Sequence, residues 1–534
     1  MARIPLNASF SRLLLFSIAL FSATLLSSCS ADEQTDKSVE NLPKSGFRAV
    51  PFSLDLLWLN VSRSLELDDL HGKVVILDFW TYGCINCIHV LADLKRLEEK
   101  YGHQLLVIGV HTPKFDNEKN LETLRNIVVR YGIEHPVVND VDFKLGTYYG
   151  MRAWPTRVVI DPAGNVLGKY SGEGRYDLFD ETISQLLREH KSILDASPIP
   201  LKLEKDRFES SILAAPGKIA VSDQYVAISD TLHHRVILAD HGGRIQHIFG
   251  GIEAGRSDGA AADARFDSPQ GLAFGEHGLY VADTGNHLIR YIDLEALSVT
   301  TVAGNGRLER YRNGEFDALH IGLASPWGLV LKENELYVAM AGSHQIWRYD
   351  TQSRKIRPYA GSGREGIDDG DLKISSFSQP SGLSIKDDWL YVADAEDSAV
   401  RRIQLQKGQV ETVIGTGLFD FGDKDGRLDH AKLQHVLGVL AYGADQVFIA
   451  DTYNHKLKSI DLKKRHVSTI LGDGKPGRES SDSSMFKLNE PGGLARLGGN
   501  LLIADTNNHR IITFDIDSGQ ASEWKLTLNA PSEE

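Results

Sequence analysis

The chain of 534 residues contains only three cysteines, Cys29, Cys84 and Cys87. So few cysteines exclude a fold that depends on many structural disulfides, and they exclude a zinc site built from two cysteine pairs. Basic residues are also scarce, because 58 Lys and Arg stand against 72 Asp and Glu, for a formal net charge of −14. That balance argues against a nucleic-acid partner, since phosphate binding needs clustered cations.

Long apolar runs are nearly absent. The run LLLFSIALFSATLL near the N-terminus is too short for a comfortable membrane span, and it ends in LSSC before a polar stretch. This pattern resembles the lipobox of bacterial lipoproteins, which implies a signal peptide over residues 1–28, a lipidated Cys29 and a tether over 29–46. Ser30 after the cysteine resembles the outer-membrane sorting pattern. We therefore expect a lipid-anchored, periplasm-facing protein of the cell envelope, with an ordinary signal peptide as the alternative.

Residues 47–194 alternate between apolar runs and segments with helical spacing. Buried strands are predicted at 74–80, 105–110, 136–138 and 156–161, and helices between and after them. A strand hairpin and a helix ending near residue 191 close the pattern. This alternation predicts an α/β domain, followed by a linker over 195–204.

Residues 205–528 change to short strands and glycine-rich turns that repeat six times. An aspartate recurs at one position of the repeat, at Asp230, Asp283, Asp394, Asp451 and Asp505, and Met340 replaces it once. Four copies are preceded by Pro-x-Gly-Leu. The repeat resembles the NHL repeat, which implies an all-β, six-bladed β-propeller closed into a ring. We expect residues 201–210 to add a strand to the last blade.

The pair Cys84 and Cys87 directly follows the strand predicted at 74–80 and opens the next helix. Free N–H groups at a helix N-terminus stabilise a thiolate, here at Cys84. Cys87, one turn further on, is placed to attack a mixed disulfide formed on Cys84. This C-x-x-C arrangement resembles that of thioredoxin.

Other uses of the pair fit less well. A zinc site needs about four ligands, and the pair supplies two. Attachment of a c-type haem needs histidine directly after the second cysteine, where Ile88 stands. A peroxiredoxin-like thiol peroxidase finds support in Thr81, three residues before Cys84, although Leu77 stands where such proteins usually have proline. It is kept as a lesser alternative.

The thioredoxin resemblance implies roles for four further residues. Asp78 matches the buried carboxylate that takes the proton of the second cysteine. Pro155, in the sequence AWPT, matches the cis-proline whose backbone aligns an extended substrate. Tyr82 and Trp154 are expected to contact the substrate. No cofactor is implied beyond a redox-active disulfide formed by the two cysteines.

Further motifs narrow the resemblance: WLN (58–60), DFWTYGCINCIHVL (78–91), HTPKFDNEKN (111–120) and HPVVND (135–140). Together with the repeats they are similar to the thioredoxin–NHL proteins over about residues 47–520. The two cysteines, Asp78 and the Trp-Pro loop favour a membrane-tethered thiol–disulfide oxidoreductase that exchanges with protein disulfides or dithiols and with an upstream thiol donor or acceptor. The propeller would bind a partner protein. The alternative is a scaffold whose thioredoxin-like domain is regulatory, and the direction of electron flow stays open.

Five histidines lie four residues after the aspartate position of their blades, at His234, His287, His344, His455 and His509. Blade four has Ser398 instead. One histidine per blade predicts a turn hydrogen bond within each blade, because a shared metal would require several histidines to converge. No metal site is therefore predicted.

Overall fold

A computed structural model describes residues 47–52, 55–207, 211–478 and 486–528. The predicted signal peptide, the tether and Cys29 lie outside these residues. The α/β half contains the strands β1 to β6 at Leu57–Leu59, Val74–Trp80, Leu105–His111, Val137–Asn139, Thr156–Ile160 and Val166–Ser171. Its helices α1 to α5 span Leu67–Leu70, Ile85–Tyr101, Leu121–Arg130, Lys144–Tyr148 and Tyr176–Glu189.

The six strands form one sheet in the order β1-β4-β3-β2-β5-β6. Strands β2, β3 and β4 are parallel to one another, and the remaining pairings are antiparallel. All seven residues of β2 are buried because its side chains alternate between two apolar clusters. Leu77 and Phe79 lie in the cluster that includes α4 residues, whereas Val74 and Ile76 pack with α2 and α5. The predicted α/β domain is confirmed, and only the short elements β1, α1 and α4 escaped the sequence analysis.

Six antiparallel sheets form the predicted six-bladed propeller. The innermost strands are Pro216–Val221, Pro269–Phe274, Pro326–Lys332, Pro380–Lys386, Gly438–Tyr442 and Pro491–Leu497. The second strands are Val226–Asp230, Gly278–Asp283, Glu335–Met340, Trp389–Asp394, Gln446–Asp451 and Asn500–Asp505. The third strands are Arg235–Ala239, Leu288–Asp293, Gln345–Asp350, Ala399–Gln404, Lys456–Asp461 and Arg510–Asp515. The fourth strands are Ile245–Gly250, Ser298–Ala303, Lys355–Ala360, Gln409–Ile414, His466–Leu471 and Ala521–Trp524.

Blades two to five each gain a two-residue outer strand from the preceding loop, at Gly259–Ala260, Phe316–Asp317, Gly370–Asp371 and Gly426–Arg427. Blade one is extended instead by the C-terminal segment, where Thr527 pairs with Arg244. The expected extra strand from residues 201–210 is wrong. Leu201 pairs with Val61 of the α/β domain and residues 204–207 form a helical turn, so this segment lies against the first domain.

The repeated histidines join neighbouring blades. In each case the Nδ1 atom accepts the backbone N–H of the residue that precedes the innermost strand of the next blade, as in Glu490 N–H to His455 at 3.1 Å. The other four pairs are Ser268–His234, Ser325–His287, Gln379–His344 and Ala215–His509. In blade four the hydroxyl oxygen of Ser398 accepts from His435 in the same way. The structural role is as predicted, but the bond links two blades instead of closing a turn within one.

The repeated aspartates stabilise each blade from inside. One carboxylate oxygen accepts a backbone N–H from the loop before the innermost strand, as in Gln434 to Asp451 at 2.8 Å. The other oxygen pairs with a cation on the third strand: Asp230–Arg235, Asp283–Arg290, Asp394–Arg401, Asp451–Lys458 and Asp505–Arg510. In blade three the pair is replaced by Met340 and Trp347, both fully buried in one apolar cluster. Because a buried charge needs its partner, both members change together.

We predict that His509→Ala lowers the free energy of unfolding by about 1–2 kcal/mol, because the Ala215 N–H loses its acceptor at the closure between blades six and one. His509→Ser should lose less, since Ser398 performs this role in blade four. Chemical denaturation of the three proteins measures the difference. Equal stability of His509→Ala and wild type would contradict the assigned role, as would a tightly bound metal that is lost in His509→Ala.

Candidate functional site

The two cysteines lie at the N-terminus of α2, with both thiols free. Cys84 is the residue that caps the helix, and its carbonyl oxygen accepts the Cys87 N–H at 3.0 Å. Cys84 is half-buried, whereas Cys87 is fully buried and hydrogen-bonded to Cys84. Burial raises the pKa of the Cys87 thiol well above its usual range, and the Cys84 and Asp78 charges raise it further. Cys84 is therefore the more accessible of the two thiols.

Asp78 is buried on β2 close enough to Cys87 to affect its charge. Neither carboxylate oxygen has a hydrogen-bond partner among the described residues. Burial raises the pKa of Asp78 to about 6, against the opposing effects of Arg157 and His135. Arg157 is the residue of β5 that pairs with Asp78 in the sheet. Its guanidinium donates to the carbonyl oxygens of Gly172 and Gly174. A carboxyl with such a pKa can exchange a proton near neutral pH.

The Trp154–Pro155 peptide bond is cis, as the resemblance predicts. Proline has no N–H, and the Pro155 carbonyl oxygen already accepts the N–H of Gly172 at 2.8 Å. The backbone pairing expected of Pro155 would therefore involve its neighbour Trp154. The half-buried Trp154 ring donates from Nε1 to the Thr112 hydroxyl at 2.7 Å, which fixes its orientation beside the cluster that contains both cysteines.

Glu118, which sequence reasoning passed over, holds the loop before Cys84. Its buried carboxylate accepts the Thr81 hydroxyl at 2.5 Å and the backbone N–H groups of Gly83, Lys114 and Phe115. Four donors on one carboxylate tie the loop 81–83 to the loop 114–118. The hydrogen bond from Thr81 to Glu118 also occupies the Thr81 hydroxyl hydrogen, which the peroxidase alternative would need for its substrate.

The propeller covers this end of the α/β domain. Tyr82 is buried there, and its hydroxyl donates to Glu490 in the loop before blade six, at 3.2 Å. Asn117 donates to the same carboxylate at 2.7 Å and accepts from Nε2 of the repeat histidine His455 at 2.9 Å. Tyr82 therefore lies in the domain interface and does not face solvent, so the structure does not present it to a substrate.

An aromatic cluster and an ion pair extend the interface toward Cys84. Phe115 packs against Phe421, His435 and Tyr453, with ring centroids 4.8, 5.2 and 5.4 Å away. The neighbouring Lys114 forms a buried ion pair with Glu396 of blade four. A turn within blade four and the loops that enter blades five and six thus hold the loops around the dithiol.

Helix α2 extends the interface between the two domains to blade three. His89 lies between Glu173 and Ser325, with 2.7 Å to each, and burial lowers its pKa to about 3. Neutral His89 therefore donates from Nδ1 to the carboxylate and accepts the serine hydroxyl at Nε2. Beyond His89, a cleft of about 2040 Å³ opens between α2 and blades one to three, and its lining includes Ile88 but neither cysteine.

Within the described ranges no cluster of three or more His, Cys, Asp or Glu side chains has the arrangement of a metal site. Burial lowers the pKa of the repeat histidines, to about 3 for His287 and to about 4 for His344 and His455. They are neutral, with the proton on Nε2, because Nδ1 is the acceptor in each bond between blades. Among the helices that the structure describes, none is both long and apolar enough to cross a membrane.

Four residues of the candidate site carried signals in the sequence that the sequence analysis did not use. Arg157 had one, as a charged residue inside the apolar strand 156–160, and Glu118 lies in the motif HTPKFDNEKN. The propeller residues Gln379 and Glu490 had a weaker one. They occupy the position before the Pro-x-Gly turn, which is alanine or serine in the first three blades.

Comparisons with known proteins agree with this architecture. A family model described as thioredoxin-like matches residues 72–166, and the NHL repeat model matches residues 488–514. The thiol-disulfide oxidoreductase ResA of Halalkalibacterium halodurans is 31% identical over 149 residues, which cover 28% of this chain and 80% of that protein. The α/β half is therefore thioredoxin-like, and the six-bladed half is built of NHL repeats.

Two relatives match both halves. Protein SUPPRESSOR OF QUENCHING 1, chloroplastic, of Arabidopsis thaliana is 41% identical over 530 residues, 93% of this chain and 49% of that protein. NHL repeat-containing protein 2 of Gallus gallus is 41% identical over 507 residues, 87% of this chain and 70% of that protein. The chain thus spans about half the length of the plant relative. It belongs to the family of proteins, including NHL repeat-containing protein 2, in which a thioredoxin-like domain precedes an NHL-repeat propeller.

Proposed function

We propose that the protein is a thiol–disulfide oxidoreductase that uses Cys84 and Cys87 on protein substrates. The observation that carries the proposal is the contrast between the two thiols: Cys84 is half-buried at a helix N-terminus, and Cys87 is fully buried behind it beside Asp78. This is the arrangement expected of an attacking and a resolving cysteine. The similarity to ResA, a thiol–disulfide oxidoreductase by name, supports it.

In the proposed reaction the Cys84 thiolate attacks one sulfur of a partner disulfide. A bond forms between that sulfur and Cys84, and the other partner sulfur leaves as a thiolate. Asp78 then accepts the Cys87 proton, and the Cys87 thiolate attacks Cys84. The Cys84–Cys87 disulfide forms and the second partner thiol is released, so the partner gains the two electrons that the dithiol loses. A thiol donor of the envelope resets the dithiol, and the reverse sequence oxidises a partner.

The propeller would serve as the platform for partner proteins. The cleft between α2 and blades one to three supports this role, because it is open, large and next to the dithiol helix. The same cleft supports the second candidate, a scaffold whose dithiol is regulatory. Catalytic turnover distinguishes the two, since a scaffold needs partner binding alone.

The place of action is proposed to be the cell envelope, with the chain held by a lipid on Cys29 and the dithiol facing the periplasm. The lipobox-like sequence LSSC supports this anchor. The name of the plant relative places that protein in the chloroplast, a different compartment.

Purified protein without residues 1–29 should reduce insulin when dithiothreitol is supplied. Cys84→Ser should abolish turnover because the attacking sulfur is lost. Cys87→Ser should accumulate mixed disulfides, visible by non-reducing electrophoresis and mass spectrometry, because nothing resolves them. Turnover by Cys84→Ser at the wild-type rate would exclude the proposed reaction.

Asp78→Asn should slow the resolving step at least about tenfold at pH 7, because Cys87 loses its proton acceptor. The same substitution should raise the free energy of unfolding even though it slows the reaction. The raised pKa of Asp78, about 6, means that its contribution is present below pH 4 and is lost as pH rises through 6. Asn avoids that loss, so the variant should gain about 3 kcal/mol over wild type at pH 8 and little at pH 4.

Stopped-flow decay of a preformed mixed disulfide on Cys84 gives the resolving rate, and denaturant titrations at both pH values give the stability. Glu99→Gln, at an exposed carboxylate near the end of α2, serves as the charge-matched control. A variant with normal resolution but raised stability would leave Asp78 with a structural role only.

Cys29→Ser should prevent acylation and release the protein from the membrane fraction, because the proposed lipid attachment site is lost. Metabolic labelling with a palmitate analogue and membrane fractionation measure both effects, with Ser30→Ala as the neighbouring control. Absence of label on the wild type would remove the anchor from the proposal while leaving the dithiol chemistry in place.

A further inference from the structure

The propeller repeat is least regular in the blades that contact α2. Four blades follow the aspartate position with a threonine whose hydroxyl donates to the proline carbonyl oxygen of the next blade: Thr231, Thr284, Thr452 and Thr506. Blades three and four have Ala341 and Ala395 instead. Ala341 packs with Ile85, the residue between the two cysteines that follows Cys84. The irregular turn of blade three thus lies against the residue that follows Cys84.

Gln379 contacts the first residue of α2. Its side-chain oxygen Oε1 accepts the backbone N–H of Ile85 at 2.7 Å, and the side chain is buried. This N–H belongs to the first turn of the helix and has no partner within it. The partial positive charge of this N–H adds to the positive end of the helix dipole, which stabilises a thiolate on the capping residue Cys84. Gln379 offsets part of that charge through a neutral amide oxygen.

Arg310 contacts the second residue between the cysteines. Its Nη2 donates to the side-chain oxygen of Asn86 at 3.0 Å, and its Nε donates to the carbonyl oxygen of Gly342 in blade three at 2.5 Å. The guanidinium also pairs with Glu173. The loop between blades two and three therefore places a positive charge beside the residue that precedes Cys87.

We propose that the propeller is part of the redox site, in which Gln379 and Arg310 act as positioning residues that set the dithiol–disulfide equilibrium from the two residues between the cysteines. The proposal rests on the proposed function, and it adds that the dithiol–disulfide equilibrium depends on residues of the propeller. The two contacts have opposite electrostatic effects. The Gln379 amide oxygen offsets part of the positive end of the α2 dipole and favours the disulfide, whereas the Arg310 cation, which Glu173 partly neutralises, favours a thiolate and therefore the dithiol.

The test uses the full chain from residue 30 onward, equilibrated with reduced and oxidised glutathione. In this exchange the protein dithiol and one glutathione disulfide yield the protein disulfide and two glutathione thiols. Gln379→Ala should shift the equilibrium about fivefold toward the dithiol, and Arg310→Gln about fivefold toward the disulfide. The rate of Cys84 alkylation by iodoacetamide at pH 6–7 should rise in the first variant and fall in the second.

Arg312→Gln, two residues further along the same loop, and Ser268→Ala, at the position of Gln379 in blade two, are the matched controls. Shifts of opposite sign in the two test variants, absent from the controls, would support the proposal. Shifts of the same sign accompanied by a lower melting temperature, or values within twofold of wild type, would overturn it. A wild type that does not exchange with glutathione would refute the proposed function, and the alkylation rates would still decide this inference.

Discussion

The hydrogen bond from a backbone N–H to the histidine of the preceding blade is the interaction on which the rest of the arrangement depends. It fixes the residue before each innermost strand in the left-handed region, with φ of 63° at Gln379 and 53° at Glu490. A side chain other than glycine is strained there, and the bond from His344 or His455 holds it. These rigid residues carry the side chains that reach the dithiol domain. The same six turns therefore join the blades of the propeller and place its side chains around the dithiol.

The interface has a chemical consequence for the dithiol. A thioredoxin-like site is ordinarily described by its own helix, its buried carboxylate and its cis-proline. Here Gln379, Arg310 and Glu396 add a neutral acceptor, a cation and an anion from outside that domain. Because these groups lie in a partly buried interface, their charges are less screened than they would be in water. The isolated α/β domain would lack all three, so its reactivity is a poor guide to that of the whole chain.

Two regions next to the dithiol correspond to the two proposed activities, substrate exchange and partner binding. The half-buried Cys84 packs in the same cluster as Trp154, and the large cleft toward blades one to three is lined by Ile85 and Ile88 of α2 but by neither cysteine. A partner held in the cleft would contact the helix that bears the cysteines. Substrate exchange and partner binding can therefore be separated by substitution, which distinguishes the oxidoreductase proposal from the scaffold.

Both folds could be predicted from the sequence, because strand periodicity and a six-fold repeat are local patterns. The candidate dithiol followed from its C-x-x-C spacing, and Asp78 and Pro155 were proposed from the resemblance to thioredoxin. The sequence did not determine that Tyr82 is buried by Glu490, that residues 201–207 lie against the first domain, or that the histidines link successive blades. Those facts join residues up to 408 positions apart. Only tertiary structure decides such contacts, since the relative placement of two independently folded units is encoded in surface complementarity and leaves no periodic trace in either segment.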